Sequence, residues 1–374
     1  MKEEATMQFK VNASILTQAV QTAIRALSAR AAQHWMEGIF IQTTNKGIEL
    51  TCTDGIMTIR TKTDATILKE GCALLPARIF YDIVRHSVGD VEVYTDMTKL
   101  SATIRSLGSN TDLVCLAADE FPEVEDLRDG TTVVLSQKSF AQAVGRASFA
   151  LATDEARRIL TGCYMEVMPE EVRFICLDGY RFAMKKIPGK QNIKDDKQSA
   201  ILPGSALLEV SRMAQDTGDK VEIVFNEKNA QVNFENTVVY LPLIPGEYIN
   251  YRQILPQASS TNIKVKRSDL LSAIERAAVI ATSGGRLTRL DVNEDGLTIS
   301  ATSEKGKSVE NIEILFDGQP LTISFNVSYL QDAVRNIDTE ELTMSFQTNV
   351  SPCLFTPVKG DDFIFLLLPV RTVS

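Results

Sequence analysis

The chain has 374 residues, of which 44% are hydrophobic and 23% charged, with a formal net charge of −9. This is globular composition, which excludes a disordered or collagen-like chain, and the length suits about two to four domains. Two histidines (His34 and His86) are too few for a His-rich metal site, and the acidic total means that any nucleic-acid binding has to come from local charge.

The opening MKEEATMQFK has no apolar h-region, so no signal peptide is expected. Apolar residues then recur at Leu16, Ala19, Val20, Ala23 and Leu27, which predicts a helix within 10–30, with Asn12 as a plausible cap. Alternating runs follow at Ile39-Phe40-Ile41 and Ile48-Glu49-Leu50, joined by the turn Asn45-Lys46-Gly47, and Asp54-Gly55 comes next. The segment LPARIFYDIVR predicts a second helix, within 76–88, with Pro76 in the first turn, and a strand at Val91–Tyr94.

The same order then recurs. Phe140, Ala143, Val144, Ala147 and Leu151 match the first helix without a gap, and Gly162 to Asp178-Gly179 spans the same distance as Gly38 to Asp54-Gly55. LPGSALLEVSR ends on Arg212 as LPARIFYDIVR ends on Arg85. A third copy has Leu270, Ala273, Ile274, Ala277 and Ala281, then FNVSYLQDAVR ending on Arg335; Ser136 and Ser268 are the cap candidates of copies two and three. Three repeats of the order helix, strands, helix, strands predict an α+β protein with helices segregated to one side of antiparallel sheets. Boundaries are placed near 128 and 258, giving domains over 1–128 (with 1–6 an extension), 129–258 and 259–374.

On the six predicted helices, lysines and arginines number twelve and acids five, so helices at +7 sit in a chain at −9. Repeated basic helices on an acidic body point to a surface that attracts a polyanion. Six helices per chain, doubled by head-to-tail pairing and packed at ~10 Å, enclose a hole of roughly 38 Å, wide enough for a nucleic-acid duplex.

Catalysis finds little support. The acid clusters Glu123-Glu125-Asp126 and Asp361-Asp362 read as solvated loops rather than Mg²⁺ sites, Gly189-Lys190 lacks the phosphate-loop pattern, and no Cys or Ser has a His at motif spacing. The six cysteines form no C-x-x-C pair and read as reduced, mostly buried thiols. No metal or cofactor is expected, and the reading is of a soluble, cytoplasmic protein.

RRILTG (157–162), LDGYRFAM (177–184), YRQILP (251–256), FNVSYL (325–330) and LLLPVR (366–371), in this order and spacing, resemble the bacterial DNA polymerase III beta subunit family, the DNA sliding clamps. The resemblance covers about residues 7–374. It implies the DNA clamp fold: three repeated domains, each with two helices on antiparallel sheets, closing as a homodimer into a pseudo-sixfold ring with helices inside. Such a ring encircles duplex DNA without reading its sequence, is loaded by an ATP-driven clamp loader, tethers polymerases and other clamp-binding-motif proteins, and has no chemistry of its own. Nucleoid association in the cytoplasm follows.

Carried onto this chain, the resemblance implies a partner-peptide groove of Arg157, Leu160, Leu177, Gly179, Tyr180, Arg181, Phe182, Ile249, Ile254, Leu368, Pro369, Val370 and Arg371. Arg181 and Arg371 are expected to meet a peptide's carboxylate or carbonyls. DNA contacts fall on Arg30, Arg78, Arg85, Arg146, Arg158, Ile159, Arg212 and Arg286. The dimer seam falls on Thr111 and Leu113 against Val279 and Ile280, with Glu310 and Glu313 as acidic partners. Tyr180 stands where the family usually has His, Ile249 where it has Pro, and Asp154 where it has Gln. The rival reading is a clamp-like module that binds partners as a monomer; a second clamp serving a specialised polymerase is a variant of the main one.

Overall fold

Three short runs ahead of the first helix of each copy decide the architecture. Met7, Phe9 and Val11 alternate with polar residues, as do Ile263 and Val265, and Val133 and Leu135 flank the exposed Val134; the other seven are all buried. Period-two burial makes these strands rather than the opening turns of helices, so the first predicted helix begins later, at Ala13. Asn12 does cap it, accepting from Ser14 N at 3.0 Å, whereas Ser268 lies inside its helix and bonds Asp269.

The computed structural model describes residues 6–28, 32–118, 121–193, 196–216 and 218–371. The first copy comprises β1 (Thr6–Asn12), α1 (Ala13–Ala23), β2 (Gly38–Thr44), β3 (Gly47–Thr53), β4 (Thr58–Asp64), β5 (Thr66–Lys69), β6 (Cys72–Pro76), α2 (Ala77–Arg85), β7 (Asp90–Asp96), β8 (Ser101–Ser106) and β9 (Ser109–Val114). The second comprises β10 (Thr131–Ser136), α3 (Gln137–Ala147), β11 (Gly162–Val167), β12 (Glu171–Leu177), β13 (Arg181–Pro188), β14 (Gln198–Pro203), α4 (Gly204–Met213), β15 (Lys220–Phe225), β16 (Asn229–Asn233) and β17 (Thr237–Pro242). The third comprises β18 (Thr261–Lys266), α5 (Arg267–Thr282), β19 (Leu287–Asn293), β20 (Gly296–Ser303), β21 (Gly306–Ile312), β22 (Leu315–Gly318), β23 (Leu321–Asn326), α6 (Val327–Arg335), β24 (Glu341–Phe346), β25 (Cys353–Pro357) and β26 (Phe363–Leu367).

The repeat holds in its pairing logic: the leading strand of each copy pairs antiparallel with the strand after its second helix, Phe9 opposite Val93, Val133 opposite Ile223 and Ile263 opposite Met344. The copies do not keep their strands to themselves. Two compact units result, 1–137 with 212–243, and 138–211 with 244–374. The first unit holds a five-stranded sheet, β5-β1-β7-β8-β9, and an eight-stranded sheet, β10-β15-β16-β17-β4-β3-β2-β6. The second holds a nine-stranded sheet, β14-β11-β12-β13-β26-β25-β24-β18-β22, and a four-stranded sheet, β21-β20-β19-β23. Copy two is shared, joining copy one through β17–β4 and copy three through β13–β26.

The helix faces read from spacing are the buried ones. Leu16, Ala19, Val20 and Ala23 face the core from α1, Phe140, Ala143, Val144 and Ala147 from α3, and Leu270, Ala273, Ile274, Ala277 and Ala281 from α5. Each fully buried Leu, Ile or Phe contributes roughly 1.5–3 kcal/mol. All six cysteines are buried thiols. No helix among the described residues is long and apolar enough to cross a membrane.

Candidate functional site

The repeated Asp-Gly pair is a turn with a mechanism. Asp178 Oδ1 accepts from Tyr180 N at 2.8 Å and Arg181 N at 3.0 Å, and Asp54 Oδ1 does the same for Ile56 N and Met57 N. Gly179 and Gly55 sit at φ +93° and +84°, a region that side chains disfavour. The Gly179 turn aims Tyr180 outward, 59% exposed, and starts β13 at Arg181. A side chain at Gly179 would also meet Arg157, whose Nη1 lies 3.0 Å from the Cβ position.

Arg181 differs from its expected role. Its Nε donates to Asp178 Oδ2 at 2.9 Å and its Nη1 to Asp332 Oδ2 at 2.6 Å, with the guanidinium 4.5 Å from the centre of the Tyr329 ring. Two carboxylates and an aromatic face already meet its charge. It acts as a strut, whereas Arg371 is exposed.

The apolar residues sort into a floor and a rim. Leu160, Leu177 and Phe182 are buried and pack in one cluster with Ile175, Met184, Tyr251 and Leu366. Tyr180, Ile249, Ile254, Leu368 and Val370 are exposed by 38–59%, and Pro369 is half-buried. Two backbone bonds tie rim residues in place: Ile254 N donates to Tyr251 O of the floor cluster at 3.1 Å, and Leu368 N to Tyr180 O at 2.8 Å. Val370 N donates to Ser324 O at 2.8 Å, which fixes the chain after β26.

Beneath the floor lies a group that sequence reasoning missed. Glu166 on β11 is fully buried. It accepts from the Tyr251 hydroxyl at 2.7 Å, from Arg173 at 3.2 Å and from Arg252 at 3.0 Å, and it pairs with Lys197 at 3.0 Å. Burial pushes its carboxyl pKa up, but the Tyr251 hydroxyl and the Lys197 and Arg252 charges outweigh that, so it lies below the ordinary value. Its partners are 7 to 86 residues away, too far for any local pattern to reveal. Asp332 and Tyr329 on α6 were missed for the same reason.

The candidate DNA contacts are mostly accessible cations. Arg30 lies outside the described residues. Arg78, Arg85, Arg158, Arg212 and Arg286 are exposed. Arg85 pairs with Asp82 at 3.1 Å, and Arg78 donates to Ser28 O at 3.2 Å. Arg146 donates to Arg335 O at the end of α6, where Arg267 also donates, so it serves a helix C-terminus. Ile159 packs against the floor cluster. Asp154 caps the turn that carries Arg157 and Arg158, accepting from Ala156 N at 3.0 Å. All the helices but α5 prove shorter than predicted, and together they carry less charge: Arg78, Arg85, Lys138, Arg146, Arg212, Arg267, Arg276 and Arg335 against Asp82, Glu209, Asp269, Glu275 and Asp332. Lys10 belongs to β1, where it pairs with Asp90.

Three of the six candidate seam residues lie on edge strands. Thr111 and Leu113 belong to β9, the last strand of its sheet, and Glu310 to β21, the last of its own. Beside β9, Ile79, Ile83, Val88, Leu107 and Thr111 line an open pocket of about 450 Å³, and Leu107 is 83% exposed. Near β21, Val279 is 72% exposed and Ile280 half-buried. Glu310 is engaged by Arg276 at 2.6 Å, whereas Glu313 is exposed. Among the described residues, no group of three or more His, Cys, Asp and Glu side chains is placed to hold a metal ion.

Comparison with known proteins follows the repeat. Models of the DNA polymerase III beta subunit match in order: the N-terminal domain over residues 7–125, the central domain over 134–250 and the C-terminal domain over 252–371. The beta sliding clamp of Bacillus subtilis is 29% identical over 380 residues, covering 98% of this chain and all of the relative, and that of Haemophilus influenzae is 25% identical at the same coverage. The crystal structure of the DNA polymerase sliding clamp from Bacillus subtilis superposes with a TM-score of 0.93 at 29% identity, over 98% of this chain and 100% of that one. A sliding clamp from Pseudomonas aeruginosa solved bound to griselimycin, 24% identical, shares the fold with a TM-score of 0.90 over the same shares of the two chains.

Proposed function

This chain belongs to the DNA polymerase III beta subunit family, and on that premise we propose that it works as a sliding clamp, a non-catalytic processivity factor that closes as a homodimer around duplex DNA and tethers polymerases to it. Its three domains take the residue ranges 1–128, 129–258 and 259–374. The observation that carries the ring is a pair of open edges: β9 ends one sheet of copy one and β21 ends one sheet of copy three, each beside exposed apolar side chains. An unpaired edge is a template for another strand. Pairing β9 of one protomer with β21 of its partner, head to tail and twice over, leaves neither of these two edges open and closes the ring.

The exposed cations Arg78, Arg158, Arg212 and Arg286, with Arg30, then meet phosphates loosely, which positions a duplex without reading it. The rim of Tyr180, Ile249, Ile254, Leu368 and Val370 over an apolar floor suits a short apolar peptide segment of a polymerase or clamp loader. Griselimycin, the ligand of the Pseudomonas aeruginosa structure, is the probe expected to occupy this groove. The protein acts in the cytoplasm, at the nucleoid.

A native mass of about twice 41.3 kDa, with retention on nicked circular DNA that vanishes when the circle is cut, is the expected result. A mass of one chain with equal retention on linear and circular DNA would leave a monomeric binding module instead.

A further inference from the structure

The groove wall that carries Ile249 and Ile254 contains no strand. Ile244 N still donates to Ile201 O at 2.9 Å, but the later backbone bonds are local, Gln253 N to Asn250 O and Ile254 N to Tyr251 O. Local bonds shape a turn without saying where it lies on the sheet. The tie to the sheet is made by side chains. Tyr251 stacks on Phe182 with ring centroids 5.6 Å apart and sends its hydroxyl to Glu166, and Arg252 donates to both oxygens of the same carboxylate.

We infer that Glu166 is the positioning residue of the groove: its buried carboxylate holds Tyr251 and Arg252 in one place and so sets the wall that Ile249 and Ile254 present to a partner peptide. The inference rests on the groove reading given above.

Apolar packing alone would hold Tyr251 against Phe182 as firmly, and burying a carboxylate with its cations is costly in comparison. What the charge adds is direction. A carboxylate offers about four acceptor positions, and here Tyr251 and Arg173 meet Oε2, Lys197 meets Oε1 and Arg252 meets both. Arg173 also donates to the Tyr251 hydroxyl at 3.1 Å, so the ring cannot slide along Phe182 without breaking two bonds. A wall set before the ligand arrives spares the ligand the cost of ordering it.

The test uses the full chain and fluorescently labelled griselimycin. Glu166→Gln keeps the volume and one acceptor but removes the charge, and affinity is expected to fall on the order of tenfold. Tyr251→Phe keeps the stack on Phe182 and removes only the hydroxyl, so it tests the same tie should Glu166→Gln not fold; a loss of several-fold is expected. The two losses are expected to be non-additive in the double variant, and the Ile254 methyl resonance of the unliganded protein is expected to move in both single variants. A merely structural Glu166 would lower the unfolding midpoint and leave these binding readouts alone. Leu368→Glu separates the two readings. If it abolishes binding while Glu166→Gln and Tyr251→Phe bind like the parent chain, the groove stands and the positioning role is overturned. If Leu368→Glu binds normally, the groove reading itself falls, and the positioning role falls with it.

Discussion

Arg181 and Asp332, 151 positions apart in the chain, meet through a hydrogen bond of 2.6 Å. The contact ties the first residue of β13 to the middle of α6, and Asp178 takes the other side of the same guanidinium. A residue that looks in sequence like a free arginine at the mouth of a groove is therefore part of its frame. Its side chain is 14% exposed, and its planar fork serves two carboxylates at once.

Removing that fork is expected to cost more than removing either acid. Arg181→Met leaves Asp178, only 12% exposed, without its cation and is expected to destabilise the second unit by about 2–3 kcal/mol. Asp332→Asn keeps the Asp178 pair and is expected to cost about 1 kcal/mol, because Asp332 is 43% exposed and water replaces part of the bond. Urea unfolding of the two variants measures both, and equal losses would mean that Asp178 does not depend on Arg181.

Glu166 sets an acid limit to stability. Its folded pKa lies below the free value of 4.5, so its contribution is fully present above that value and is lost as pH falls through the folded value. Asp291 and Asp361, also lowered, the first against burial by Arg289 and Thr322 and the second by Lys186, add in the same direction. Urea midpoints are expected to stay level from neutral pH down to about 5 and to drop below about 4.5. In Glu166→Gln the drop is expected to be shallower, starting from a lower neutral value. A slope unchanged by the substitution would mean that Glu166 titrates alike in the folded and unfolded chain.

The helix faces and the Asp-Gly turn were legible from sequence because they are local: 3.6-residue spacing marks a buried stripe, and an Asp followed by Gly marks a turn that needs positive φ. The leading strands β1, β10 and β18 were not legible as strands, and the end of β1 fell within the first predicted helix, since Lys10-Val11-Asn12 is short and runs straight into the periodic face of α1. The sharing of copy two between sheets was hidden because Val239 opposite Ile59 and Ala183 opposite Phe365 are pairings over about 180 residues, set by edge complementarity that no repeat reveals. The groove residues were reached through resemblance, and the frame around them was not: Glu166, Tyr251 and Asp332 matter through partners on distant segments.

The seam can be tested from either side. Leu107→Glu and Val279→Glu each place a charge on a side chain that is 83% or 72% exposed in the single chain and that the proposed pairing would cover. A charge carried into an apolar interface without a partner opposes association. Each variant is expected to run at half the parent's native mass, with the thermal unfolding of its own fold little changed. A dimer that survives both substitutions would move the seam away from β9 and β21.

Arg286 offers a test in which stability and function move in opposite directions. It sits at φ +56°, one of only two described non-glycine residues with positive φ, after α5. Its backbone is engaged on both sides, N to Ala281 O at 3.0 Å and O from Val327 N at 2.8 Å, so the conformation is imposed by the fold. A side chain there costs about 1 kcal/mol relative to glycine, a cost that a structural turn would have shed. The exposed guanidinium explains its retention if it meets phosphate. Arg286→Gly is therefore expected to raise the urea midpoint while weakening DNA association and making its salt dependence shallower by about one unit for each phosphate no longer neutralised. Arg286→Gln, which keeps the strain and removes the charge, is expected to share the DNA defect without the gain in stability. If the glycine variant gains stability and holds DNA with an unchanged salt slope, Arg286 does not face the duplex.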